Sequence, residues 1–212
     1  MKSLALDQLA RIRVVPVVVI DDPAHAGALA DALVTGGLPC AEITFRTSVG
    51  EAAIRALASR QDILVGAGTV LNAGQVDRAV DAGARFVVSP GFGIDVVTRA
   101  QERGILVLPG VATATEIQAA VGAGLDAVKF FTAEQSGGLS MLSALSAPFF
   151  GLRFMPSGGV SPTNTADYLA HPAVFAVGGS WMVPRERIVA GDFETVRRLA
   201  EETTARLNPS AA

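Results

Sequence analysis

The sequence predicts an α/β protein of the closed (β/α)8 TIM-barrel class, a single domain over residues 1–212 with a short N-terminal helix and a polar C-terminal tail. Three observations predict it. Short β-rich runs recur eight times, starting 21 to 27 residues apart. The runs are almost continuously apolar, the pattern of parallel strands covered on both faces. Alanine-rich stretches with helical spacing fill the intervals. An open doubly wound sheet usually has fewer strands. It often carries GxGxxG after its first strand, where this chain reads VVVIDDPAHAG. A length of 212 residues sits at the compact end of the ~200–400 residues typical of closed barrels.

The strands are expected at VVPVVVI from Val14, AEITF from Ala41, ILVGAG from Ile63 and RFVVSP from Arg85. LVLPGV from Leu106, AVKFFT from Ala127, RFMPSGG from Arg153 and VFAVGGS from Val174 complete the set. Between them lie helical stretches such as HAGALADALVTGG, NAGQVDRAVDAGA and ATEIQAAVGAG. Many end in glycine, a common C-terminal stop (Gly36, Gly83, Gly104, Gly122, Gly124). Asp21 or Asp22, Asn72, Thr113 or Thr115, and Ser161 before Pro162 are the expected caps. A last helix is expected over about 185–207.

Composition narrows the function. Half of the residues are hydrophobic and 17% are charged, far from a disordered composition. The longest apolar run, Val14 to Ile20, has seven residues including Pro16, against the ~18 a membrane span needs. Seventeen basic and twenty acidic residues give a net charge of −3 with no basic cluster. Neither a nucleic acid nor a membrane surface is therefore expected as partner. A single cysteine, Cys40, forms no internal disulfide, and with His25 and His171 it makes a poor metal site. No metal and no cofactor are expected. MKSLALDQLARIR lacks the continuous apolar core of a signal peptide, so the expected location is cytoplasmic. Aromatics are sparse at 6% while glycines number 22, which favours ligand contacts through backbone groups.

In a barrel the active site sits at the C-terminal ends of the strands, and alternation turns every second residue inward. Lys129 interrupts the apolar run AVKFF. A buried ammonium costs several kcal/mol unless it is paired or loses its proton. Desolvation favours the neutral amine, a nucleophile able to form a Schiff base with a carbonyl. Glu42 lies mid-strand in AEITF and is also expected inside. One inward amine beside one inward acid suits imine chemistry, which must move protons. A structural ion pair is the competing reading, and burying one is a poor route to stability. Arg46 shares the face of Glu42 and can grip a carboxylate. Phe131 shares the face of Lys129, and Ser157 closes the seventh strand. Both are expected against the substrate. Gly158-Gly159 and Gly178-Gly179-Ser180 follow the last two strands, where barrels bind phosphate through backbone N–H groups. His25 and His171 fall away from these ends. Cys40 is expected to be a buried small hydrophobe, and Trp181 to pack beneath the last glycine loop or to form a rim.

The motifs VVPVVVI, AEITFRT, VGAGTVLN, VSPG, PGVAT, VKFFTAE, PSGGVSP and VGGSWMVP occur in order over nearly the whole chain. In this the sequence resembles the class I 2-keto-3-deoxy-6-phosphogluconate aldolases, which also act on 4-hydroxy-2-oxoglutarate. The resemblance implies a metal-independent Schiff-base lyase of carbohydrate metabolism, generally a homotrimer. It implies Lys129 as Schiff-base lysine, Glu42 as general acid/base, and Arg46, Thr69 and Pro90 around the pyruvate half of the substrate. Gly158, Gly159, Gly179 and Ser180 would hold the phosphate. Two departures stand out: Thr132 replaces the proline of the family's KFFPAE, and Ser157 the threonine of its PTGG. Two other classes fit the residues alone. A sugar-phosphate isomerase or epimerase would use Glu42 as proton carrier and Lys129 as electrostatic stabiliser. A non-catalytic phosphometabolite-binding barrel would use the pair only structurally.

Overall fold

The computed structural model describes residues 4–207; the polar tail expected after Leu207 lies outside them. The chain begins α1 (Leu4–Ile12), β1 (Val14–Val18), a 3-10 turn (Pro23–His25), α2 (Ala26–Thr35), β2 (Cys40–Thr44) and α3 (Gly50–Leu57). It continues through β3 (Leu64–Gly68), α4 (Ala73–Asp81), β4 (Phe86–Val88), α5 (Ile94–Glu102), β5 (Leu106–Leu108) and β6 (Gly110–Val111). Then come α6 (Ala114–Gly122), β7 (Ala127–Phe130), α7 (Gly138–Ser146) and β8 (Arg153–Pro156). The chain closes with α8 (Thr165–Ala170), β9 (Val177–Gly179), α9 (Arg185–Val189) and α10 (Phe193–Leu207).

All strand pairings are parallel, as continuous apolar runs alternating with helices require. One six-stranded ladder runs β5-β4-β3-β2-β1-β9 and one three-stranded ladder runs β6-β7-β8. This corrects the expected eight-stranded ladder, because the fifth apolar run is two strands. Pro109 stands between them and has no N–H to give. Its carbonyl instead accepts the Lys129 N–H at 2.9 Å. At the other junction β8 and β9 meet only through the isolated bridges Phe154–Val174 and Ser157–Gly178.

Alternation sorts the core into two layers. Val14, Val18, Ile43, Val65, Val87 and Val128 face the helices and form the larger cluster. Val15, Cys40, Leu64, Phe86, Val88 and Met155 face the other way. There α1 closes the strands' N-terminal side with Ala5, Leu6 and Leu9. That amphipathic turn of helix leaves only the C-terminal ends of the strands open to a ligand. On the outside, Asp77 of α4 receives Arg99 of α5 and Arg103, with Arg103 also on Asp81 at 2.6 Å. No described helix is long and apolar enough to cross a membrane.

Asp22, Asn72 and Thr113 cap as their side chains allow, accepting N–H bonds from Ala24, Gln75 and Glu116. Ser161 does not cap α8: Asn164 holds the cap position, and its side-chain oxygen accepts the Ser161 N–H at 2.8 Å. The expected last helix is two helices. Gly191 takes φ +69, the left-handed region that glycine enters without penalty, and Asp192 restarts the helix by accepting the Thr195 N–H at 3.1 Å.

The capping box at α6 is reciprocal, with Glu116 Oε2 accepting the Thr113 N–H at 2.9 Å. Burial opposes the Glu116 charge, but the Ala112 N–H and the Thr113 hydroxyl and N–H outweigh it and hold the carboxyl below the usual glutamate range. A lowered pKa stabilises the fold above the ordinary glutamate range, and that contribution is lost as pH falls through the lowered value. Thr113→Ala is expected to cost about 1 kcal/mol in urea unfolding at pH 7, with a smaller penalty below pH 4.

Candidate active site

Three strand ends assemble the centre. Register places Glu42 of β2 beside Val17 of β1 and Gly66 of β3, and Lys129 of β7 between Gly110 of β6 and Met155 of β8. Both side chains leave their strands on the face away from the helices and meet across it. Lys129 Nζ stands 3.4 Å from Glu42 Oε1, the long limit of a hydrogen bond. Their residues are 5% and 1% exposed, so the pair is sealed by protein. Nζ also lies 5.0 Å from the centre of the Phe131 ring, which walls the amine on one side. Glu42 Oε2 is buried and has no protein hydrogen-bond partner.

The pair fits only because β3 carries no side chain opposite it. A Cβ on Gly68 would lie 2.3 Å from Glu42 Oε1. Likewise a Cβ on Gly110 would lie 2.0 Å from the Pro90 carbonyl oxygen, so the loop after β4 rests directly on the strand beside Lys129. Thr44, two residues beyond Glu42 on the same strand, is buried, and its hydroxyl donates to the Val18 carbonyl at 2.8 Å.

Thr69 follows β3 with φ +57. That region is strained for a β-branched residue and is held where surrounding structure enforces it. The next residue supplies the restraint, as Val70 N–H donates to the Val88 carbonyl at 3.1 Å. Ser157 is buried at the end of β8 and bridges to Gly178. Gly158 and Gly159 follow with φ +96 and +79. Their loop is stitched to the segment after Lys129: Ala133 N–H donates to the Ser157 carbonyl at 2.8 Å and Glu134 N–H to that of Gly158 at 3.0 Å. Gly179 ends β9, and Ser180 is exposed beside it. The peptide bond between Phe131 and Thr132 is cis.

The geometry thus joins Lys129, Glu42 and Phe131, and joins Ser157 with the glycine loops. Arg46 lies beyond the end of β2, exposed, and lines a polar cleft of about 230 Å³ with Ser48 and Arg78. His25 packs edge-on against Phe193, and His171 Nδ1 accepts the Ala173 N–H. Cys40 is fully buried, and burial pushes its thiol pKa up. Sequence reasoning missed one support and the partner of another. Tyr168 donates to the Glu134 carboxylate, and burial together with that charge raises the phenol pKa. Trp181 donates to Thr203. Neither has a local signal, since 34 and 22 residues separate the partners. The need for Gly68 was readable, because VGAG turns its glycines to the face of Glu42. Among the described residues no group of three or more His, Cys, Asp or Glu is placed to hold a metal.

Comparison with known proteins gives the arrangement its context. The family described as KDPG and KHG aldolase matches residues 6–199. The 2-dehydro-3-deoxy-phosphogluconate aldolase of Treponema pallidum is 50% identical over 198 residues, 93% of this chain and 94% of the relative. The KHG/KDPG aldolase of Escherichia coli K12 is 44% identical over 190 residues, 89% of each chain. The KDPG aldolase of Legionella pneumophila, with pyruvate captured as a covalent carbinolamine, superposes with a TM-score of 0.91 at 38% identity, over 96% of this chain and 99% of the other. The 2-keto-3-deoxy-6-phosphogluconate aldolase of Zymomonas mobilis ZM4, with 3-phosphoglycerate, gives a TM-score of 0.87 at 42% identity, covering 94% and 95%. The chain belongs to the KDPG and KHG aldolase family.

Proposed function

We propose that the protein is a Schiff-base aldolase that cleaves 2-keto-3-deoxy-6-phosphogluconate to pyruvate and glyceraldehyde 3-phosphate, and 4-hydroxy-2-oxoglutarate to pyruvate and glyoxylate. The observation that carries this reading is the sealed Lys129–Glu42 pair at 3.4 Å, with glycine loops at the neighbouring strand ends. Relatives named for both substrates support it.

Lys129 Nζ attacks the C2 ketone, and a proton passes from nitrogen to the new alkoxide, giving a carbinolamine. Glu42 protonates the C2 hydroxyl, which leaves as water, and an iminium remains. The carboxylate, directly or through a water, then takes the C4 hydroxyl proton. The C3–C4 electron pair moves into the iminium, so an enamine of pyruvate stays on Lys129 and the aldehyde departs. The proton held by Glu42 returns to C3. Water then adds to the iminium, the Glu42 carboxylate takes the proton this addition sets free, and the carbinolamine collapses to pyruvate and the free amine. Walls such as Phe131 exclude bulk water, which strengthens each charge interaction. Arg46, Thr69 and Pro90 surround the pyruvate half, and Phe131 and Ser157 line the pocket. Gly158, Gly159, Gly179 and Ser180 grip the phosphate. Consecutive left-handed glycines favour such a grip, since they turn successive N–H groups into one concavity.

The two ladders work as one closed (β/α)8 barrel and one domain. The bridges between β8 and β9 and the short gap at Pro109 support this closure. A homotrimer in the cytoplasm is the proposed working form. Its support is the family resemblance and Phe150, a large apolar side chain fully exposed in the single chain.

Borohydride added with pyruvate is expected to place a stable adduct on Lys129, read by peptide mass spectrometry. A folded, active protein with no adduct there would falsify the mechanism. Glu42→Gln is expected to lower kcat by about 10²- to 10⁴-fold, while borohydride still traps pyruvate on Lys129 but more slowly, because dehydration of the carbinolamine loses its acid. Gly68→Ala presses a methyl against Glu42. It is expected to lower kcat/KM by about 10²-fold with unchanged circular dichroism.

A further inference from the structure

Trp181 is the chain's only tryptophan, and it follows the Gly179-Ser180 loop directly. A Cβ on Gly179 would meet the indole at 1.8 Å from Cζ3 and 2.3 Å from Cε3. The ring therefore lies flush against the backbone of Gly179, in the space a side chain would occupy. Its Nε1–H donates to Thr203 Oγ1 of α10 at 2.9 Å. Thr203 is 4% exposed, and its own hydroxyl proton goes to the Leu199 carbonyl at 2.8 Å. That leaves the hydroxyl a single orientation, with its lone pair turned to the indole. Elsewhere the ring borders a cavity of about 250 Å³ lined also by Thr165, Leu169 and Leu207. Packing on that side is open, and the hydrogen bond to Thr203 helps to hold the ring against Gly179.

We infer that Trp181, held by Thr203, is a positioning residue for phosphate recognition: it fixes the Gly179-Ser180 backbone from behind and so sets preference for the phosphorylated substrate. The inference rests on the assignment of Gly179 and Ser180 to phosphate in the proposed function. The indole is out of reach of the Schiff-base chemistry in this arrangement, because it packs on the opposite side of β9 from Gly178 and Ser157. Its effect should fall on the anion alone.

The test uses the full-length protein, with inorganic phosphate and 2-keto-3-deoxy-6-phosphogluconate as probes and pyruvate, which has no second anionic end, as control. Thr203→Val keeps the shape and removes the acceptor. It is expected to raise the KM for the phosphorylated substrate and the inhibition constant for inorganic phosphate together by about 3- to 10-fold, one hydrogen bond's worth. Maximal kcat and the rate of borohydride trapping with pyruvate should stay within about 2-fold of the parent. Trp181→Phe keeps a ring without the N–H and should give the same split. In the parent, inorganic phosphate should change the tryptophan fluorescence, and Thr203→Val should shift that titration in step with the inhibition constant. The inference is overturned if both variants leave the phosphate constant unmoved, or weaken phosphate and pyruvate trapping equally. Parent enzyme that phosphate neither inhibits nor perturbs would instead overturn the phosphate assignment itself, and the inference with it. Melting temperatures of both variants identify any loss of fold.

Discussion

The fold is organised around one electrostatic constraint: an amine and a carboxyl enclosed together, 3.4 Å apart, 87 residues apart in the chain. Two such groups lose several kcal/mol of hydration each when buried, and their attraction repays this only with good geometry. At 3.4 Å, with Glu42 Oε2 unpartnered, the geometry is not that of an optimised structural bridge. The arrangement is a cost to stability that the surrounding apolar core offsets. It is intelligible as a site prepared for a carbonyl and a moving proton.

Neighbouring positions answer to that constraint. Gly68 is small because Glu42 needs its space, and Gly110 because the Pro90 loop must lie on the strand beside Lys129. The loop after β7 and the loop after β8 are hydrogen-bonded to each other. The amine's strand and the Gly158-Gly159 loop are thus one mechanical unit. Tyr168 and Glu134 brace that unit from α8. Reaction geometry here follows from backbone approach, which explains why so few aromatic rings suffice.

Much of this was legible in the sequence for physical reasons. A lysine inside AVKFF and a glutamate inside AEITF contradict their surroundings, and contradiction of a local rule marks a functional position. Strand alternation then placed both on one face. Alternation says less about Arg46, which lies two residues beyond Thr44, where β2 ends, and is exposed. The split of the fifth run was readable from Pro109, and the break before α10 from Gly191. The weak join of β8 to β9 was not, because the number of paired residues depends on the local twist between neighbouring strands, which no residue pattern reports. Trp181 was undecidable for a similar reason: its partner Thr203 lies on a helix that packs back from the end of the chain.

Cys40 shows what the inner layer does besides holding the site. Its thiol points toward the Val14 carbonyl, at 3.4 Å, inside the cluster that α1 covers. A sulfur both walled off and held protonated is a feeble nucleophile. Alkylating reagents and mild oxidants therefore find no foothold on this thiol in the native molecule, and the lone cysteine becomes a silent marker that reacts only when the base of the sheet comes open.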